Sequence, residues 1–300
     1  MNGKQSLHSA WIGSDGPVGV AGSATSLFPW WSFTKTVLAI AALRLVEQGR
    51  LDLDLPRPGK PYTLRQLLQH RAGVPDYASL AVYQEAVARE ETAWSRDRML
   101  AEAGAARLEF QPGMGWAYSN IGYMLVCDAI EEASGLPLAT ALSELVLDVL
   151  VLPSVRLADA PGDFEDVFWP ELRRYDPRWV YHGCLIGTPV DAARLLHGLF
   201  SGRLLRSDTL DQMTKRHPLG GALPGRPWTD RGYGLGVMSG QVGGAGSAVG
   251  HSGSGPFSAN AVYHFPDGPQ AVSVATFTHG SDEGPAEFEA VSNALRRSQQ

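Results

Sequence analysis

The run Val37-Leu38-Ala39-Ile40-Ala41-Ala42-Leu43 wraps apolar side chains around most of a helix. Such a helix has no face to offer water and must be enclosed by other elements. The pattern predicts a helix from about residue 32 to residue 48, with Gly49 as a natural stop. Enclosing it takes layers on more than one side. Three hundred residues, 44% of them hydrophobic, can supply those layers in one large domain or two modest ones.

The rest of the chain suggests what the layers are. "LHSAWIG", the turn "SDG" and "PVGVAG" read as a strand, a turn and a strand. From Gly232 onward, "YGLGVMSG", "GSAVGHSG", "SANAVYHFP" and "AVSVATFTH" are short β-prone runs between Gly-rich turns, and "PAEFEAVSNALRR" is a closing amphipathic helix. Between these ends the texture is helical: "TLRQLLQH", "SLAVYQEAVARE", "SRDRMLAEAGAA", "NIGYMLVCDAIEEASG", "PLATALSELVLDVL", "TPVDAARLLHGLFSG" and "RSDTLDQMTK". Residues 151–182 lack periodicity and read as a long excursion. The expected class is therefore α+β. Residues 1–57 and 183–300 would form one antiparallel sheet domain flanked by helices, and 58–182 an inserted all-helical subdomain. An active site is expected in the cleft between them.

Net charge is −6 and the pI about 5.7, which argues against nucleic acid or an anionic membrane as partner. No stretch has the roughly 18 uninterrupted apolar residues of a membrane helix. The first 16 residues lack an apolar core of the kind a signal peptide carries. The expectation is a cytoplasmic protein, or one whose export signal has been removed. Cys127 and Cys184 have no neighbour at metal or redox spacing, and free thiols are expected. No histidine pair has ligand spacing, so no metal and no cofactor are expected.

The head of the buried helix carries Ser32 and Lys35. Lysine is scarce, with only Lys4, Lys35, Lys60 and Lys215 among 25 basic residues. A serine there is commonly an N-cap, but the first helical turn disfavours a cation. Burial lowers a lysine's pKa, and at a spacing of three the amine stands over the serine. That pair suits a hydroxyl nucleophile whose proton an amine helps remove. Two further motifs are unique in the chain: Tyr118-Ser119-Asn120, before a predicted helix, and His251-Ser252-Gly253, in the β-rich end.

With these three motifs in this order, the chain resembles the serine β-lactamase and penicillin-binding-protein superfamily, and its class C branch with the related esterases. The resemblance covers "WSFTKTVLAIAALRLVEQGRLDLDLP", "TLRQLLQHRAGVPDY", "FQPGMGWAYSNIGYMLVCDAIEEASGLPL" and "GTPVDAARLLHGLFSGRLL". It implies that Ser32 forms an acyl-enzyme while Lys35 and Tyr118 share the proton work. Asn120 would hold Lys35 and the substrate. The backbone N–H groups of Ser32 and Ser254 would form the oxyanion hole. His251 and Gly253 would shape the third side, and Trp116 a pocket wall. The family's third motif is usually K-T-G, and His251 stands where its lysine would be. A histidine is only partly charged near neutral pH. A small carboxylic ester or related amide is therefore the expected substrate, ahead of a β-lactam or a D-alanyl-D-alanine peptide. Two other readings remain. "GHSGS" nearly matches the nucleophile elbow of α/β-hydrolases, with Ser252 as nucleophile, although that elbow requires a helix next. A non-catalytic binding module is the other. Oligomeric state is not legible. His70 and His182 read as structural, and Trp169, Trp179 and Tyr181 as core or pocket wall.

Overall fold

The computed structural model describes residues 7–13 and 18–297, so the expected "SDG" turn lies outside the described residues. Eleven strands are present among them: β1 (Leu7–Gly13), β2 (Gly19–Ala21), β3 (Phe28–Pro29), β4 (Arg156–Ala158), β5 (Cys184–Gly187), β6 (His217–Gly221), β7 (Trp228–Tyr233), β8 (Met238–Val242), β9 (Gly246–Ser254), β10 (Ser258–Phe265) and β11 (Val272–His279). Eight of them make one antiparallel sheet in the order β2-β1-β11-β10-β9-β8-β7-β6. The two chain ends meet there: β1 pairs with β11 from Leu7 opposite Thr278 to Gly13 opposite Val272. The expected class is found, an antiparallel sheet flanked by helices.

The helices are α1 (Thr34–Glu47), α2 (Leu64–Leu68), α3 (Ala81–Ala88), α4 (Arg96–Glu102), α5 (Asn120–Ser134), α6 (Leu138–Leu142), α7 (Asp148–Leu150), α8 (Pro189–Phe200), α9 (Ser207–Thr214) and α10 (Gly284–Arg297). All of β10 and all but the last residue of β11 are buried, as expected for strands covered on both faces. The cover comes from α8 and α10, which both pack on β1, β10 and β11. Helix α1 is buried from Thr34 to Leu43 without a break and leans on α5. Its all-round apolar pattern is thereby accounted for.

Three local expectations are corrected. Ser32 does not cap α1: a 3-10 turn, Trp31–Phe33, precedes the helix, and Phe33 at the cap position makes no side-chain bond. The 151–182 excursion contains β4 and two 3-10 turns, Pro170–Arg174 and Pro177–Trp179. "YGLGVMSG" is not one strand, because the chain breaks between β7 and β8 at Gly236, whose φ is 75°. There a Cβ would lie 2.4 Å from that of Ala39, so only glycine lets this loop close on α1.

A second sheet, β3-β5-β4, matters more than its size suggests. Phe28 and Pro29 pair with Gly187 and Ile186, and the Trp30 N–H donates to the Leu185 carbonyl at 2.7 Å. The Leu185 N–H donates to Thr34 Oγ1 at 3.0 Å. These bonds fasten β5 alongside the turn that carries Ser32.

Candidate active site

The turn that carries Ser32 is strained. Trp31 has φ 42°, in the left-handed region that a bulky residue rarely adopts. Its surroundings hold it there: the indole N–H donates to Ser258 Oγ at 2.8 Å, and the ring packs edge-on against Phe164 and Tyr175. Strand β9 closes on the same turn through Gly253, where a Cβ would sit 2.5 Å from the Ser32 nitrogen. Gly253 is thus needed for close backbone approach. The next residue, Ser254, borders the same pocket as Ser32.

Lys35 is fully buried in the first turn of α1. Its Nζ lies 3.1 Å from Ser32 Oγ, 2.8 Å from Asn120 Oδ1 and 3.0 Å from His182 Nε2. Burial pushes its pKa down from 10.5 to about 7, against the opposing pull of Asp76, the two cysteines and Glu283. The amine is therefore partly neutral at ordinary pH.

The second motif is set by α5. Ser119 caps that helix, its Oγ accepting the Gly122 N–H at 2.8 Å, so Asn120 projects from the first turn. Asp76 accepts the Asn120 backbone N–H at 2.7 Å and its amide NH2 at 3.2 Å. With the NH2 taken, the amide oxygen must face Lys35. His70 holds the other side: its Nδ1 accepts the Ser119 N–H at 3.0 Å, and its ring lies 4.2 Å from that of Tyr118. Burial raises the Tyr118 pKa well above the usual phenol value, against an opposing interaction with Ser32. Lys35 Nζ stands 4.9 Å from the centre of the Tyr118 ring.

His251 is buried, with Nδ1 against the Ser252 carbonyl and Nε2 2.8 Å from the Tyr233 hydroxyl. The carbonyl requires a proton on Nδ1, so Nε2 accepts from Tyr233. Burial first, and the Lys35 charge second, lower its pKa to about 3. The expectation of a partly charged histidine is corrected: His251 is neutral, because it is enclosed.

Ser32, Tyr118, Asn120, Trp116, His251 and Ser254 all line one pocket of about 400 Å³. A second lobe of about 800 Å³ shares Ala78 and Ser254 with it and is walled by Tyr83, Val87, Trp179 and Phe257. Of the aromatics weighed in the excursion, Trp179 thus reaches the cleft. Two arginines at the first pocket escaped the sequence reading. Arg226 is held by Glu283 at 2.6 Å and by both oxygens of buried Glu287, and donates to Ser252 Oγ at 2.8 Å. Arg231 makes no ion pair among the described residues, and its Nε is buried without a partner. Ser252 lies inside β9, which is followed by β10, so the strand-to-helix elbow is absent. Among the described residues no group of three or more His, Cys, Asp or Glu could hold a metal, and no single helix is long and apolar enough to cross a membrane. Both cysteines are free and buried.

His182 and His70 are the contributors that sequence reasoning set aside. His70 had a signal, the "LLQHRAGVP" segment on which part of the resemblance rests. His182 had none, because its contact with Lys35 depends on β5 being stapled to the turn that carries Ser32.

Over residues 1–296 the chain matches the family described as Beta-lactamase. It belongs to that family. Penicillin-binding protein 4* of Bacillus subtilis (strain 168) is 36% identical over 131 residues, 38% of this chain and 27% of that protein. Esterase EstB of Burkholderia gladioli is 32% identical over 148 residues, 42% of this chain and 37% of that one. The matches thus span well under two thirds of either relative. A D-stereospecific amidohydrolase from Streptomyces sp. shares the fold, with a TM-score of 0.78 over 96% of this chain and 93% of its own, at 24% identity. The family foreseen from the three motifs is the one found.

Proposed function

We propose that this Beta-lactamase family member is a serine hydrolase that cleaves small carboxylic esters or related amides through an acyl-enzyme on Ser32. The observation that carries this is the buried Lys35 amine, 3.1 Å from Ser32 Oγ and with a pKa near about 7. It favours Lys35 over Tyr118 as the base, because the phenol stays protonated. Ser32 Oγ bonds to the carbonyl carbon and its proton passes to Lys35 Nζ. The Ser32 and Ser254 N–H groups face the oxyanion. On collapse the bond to the leaving oxygen or nitrogen breaks, and that atom takes the Tyr118 proton. The Lys35 ammonium restores it. Water then repeats the sequence on the acyl carbon, with Lys35 as base. Asn120 fixes the amine, and Trp116 walls the pocket.

The neutral His251 offers no fixed charge to a substrate carboxylate, and two glutamates occupy Arg226. These facts support uncharged esters or amides over β-lactams. Arg231 favours a second reading, in which a substrate carboxylate pairs with its free guanidinium. Incubation with a fluorophosphonate, followed by peptide mass spectrometry, tests the core proposal. The adduct is expected on Ser32. A label on Ser252, or on no serine, overturns it. A p-nitrophenyl ester run beside a chromogenic cephalosporin separates the two substrate readings.

A further inference from the structure

Lys35 has three polar neighbours, and the chemistry of two of them restricts what the amine can do. A neutral amine has two N–H bonds and one lone pair. Asn120 Oδ1, its NH2 already given to Asp76, is only an acceptor and takes one N–H. The Ser32 hydroxyl can give or take. The third neighbour, His182 Nε2 at 3.0 Å, therefore decides where the lone pair goes. If Nε2 accepts the second N–H, the lone pair is left facing Ser32 Oγ–H, which is the arrangement a general base needs.

We propose that His182 is a positioning residue that aims the Lys35 lone pair at Ser32. The imidazole is buried, and enclosure together with the nearby Lys35 charge keeps it neutral and able to accept. Its place is built by backbone rather than by local sequence. It sits in the turn before β5, where Gly183, at φ 80°, donates to the Val180 carbonyl at 2.7 Å. The β5 staples to Pro29, Trp30 and Thr34 then hold it beside the nucleophile turn. From α5, the Cys127 thiol donates to the His182 carbonyl at 3.4 Å. Nδ1 has no hydrogen-bond partner among the described residues, while Nε2 lies against Lys35 Nζ. When Lys35 is charged its three N–H bonds need three acceptors, which requires a bare Nε2 and so the His182 proton on Nδ1.

The proposal rests on the serine hydrolase reading, but its test does not need turnover. In 15N-histidine-labelled protein, long-range proton–nitrogen NMR of His182 is expected to show Nδ1 protonated and Nε2 bare. A proton on Nε2 would occupy the lysine lone pair and overturn the proposal, even if every variant failed to fold. In folded variants, the rate of Ser32 phosphonylation is expected to fall ~30-fold in His182→Leu and to recover to within ~5-fold of wild type in His182→Gln, which restores an acceptor. Equal rates in the two variants contradict it. The pH profile separates aiming from packing. The ammonium has three N–H groups to satisfy and the amine two, so losing an acceptor penalises the charged form more. In His182→Leu the acid limb should move to lower pH. A loosened, wetter site would move it up toward the lysine value of free solution. Absence of any serine label in the wild type would count against the hydrolase reading instead.

Discussion

The Ser32 end and the His251 end of the site each bury one basic side chain, and the same force acts on both. Desolvation is the largest influence on Lys35 and on His251, and in both it disfavours the charged form. The outcomes differ because the starting points differ. Lysine begins at 10.5 and is brought down to about 7, where it can exchange a proton at ordinary pH. Histidine begins at 6.5 and is taken to about 3, where it no longer titrates usefully. One enclosure thus leaves an amine that can exchange a proton at one end and a neutral imidazole at the other. In this site burial acts alike on both ends, and the residue type it acts on decides the outcome.

The sharpest way to break that contrast is to remove the base. Lys35→Ala should lower kcat for a p-nitrophenyl ester by ~10³-fold, and Tyr118→Phe by ~10²-fold. The double variant should lose little more than Lys35→Ala alone, because the residues act as a unit. Steady-state kinetics with a burst measurement checks this. Near-wild-type turnover in either single variant removes that residue from the mechanism.

A thermal measurement sharpens the claim that Lys35 is desolvated. Its folded pKa lies below its unfolded one. Below about pH 7 both states hold the proton, and the cost of a buried ammonium is present in full. Between about 7 and 10.5 the folded state has lost the proton while the unfolded chain keeps it, so stability rises with pH across that window. Lys35→Met removes the charge but also three hydrogen bonds, a loss that hardly depends on pH. The Tm of Lys35→Met relative to wild type should therefore be several degrees more favourable at pH ~6 than at pH ~9. A difference independent of pH would mean that the lysine is solvated.

What the sequence revealed divides along similar lines. The buried helix was legible because an all-round apolar pattern has one physical solution. The β1–β11 pairing of the chain ends was legible because strands at both ends flank a helical middle. Ser32, Lys35, Tyr118 and His251 were found through short motifs held by local geometry: a helical turn, a capped helix start, a glycine in a strand. His182, Asp76, Arg226 and Arg231 were not, since His182 meets Lys35 and the others meet the pocket through long-range placement that no local spacing encodes. The ordinary reading of Ser32 as an N-cap does not hold, because a strained 3-10 turn, fixed by Ser258, Phe164 and Tyr175 from distant segments, precedes the helix. The charge expected on His251 was misjudged because its enclosure depends on Tyr233, which meets its Nε2 only once β7 and β8 fold beside β9.

The smallest expected effect comes from equalising the two ends. His251→Lys puts at the third motif the residue more usual in this family. The new amine would enter the same enclosed site and feel the Lys35 charge, which already disfavours a cation there. Both lysines would be pushed toward neutrality, so the acid limb of kcat/KM should shift to lower pH. Ester turnover should fall a few-fold through lost packing and the lost Tyr233 hydrogen bond. Cephalosporin hydrolysis should gain little, because a neutral amine gives a carboxylate no fixed charge. Arg231→Ala completes the comparison. If Arg231 pairs with a substrate carboxylate, this change should abolish whatever cephalosporin activity exists and leave the ester unaffected. A large cephalosporin gain in His251→Lys with an unmoved acid limb would show that the third-motif end can hold a charge. The contrast between the two ends would then not be one of enclosure.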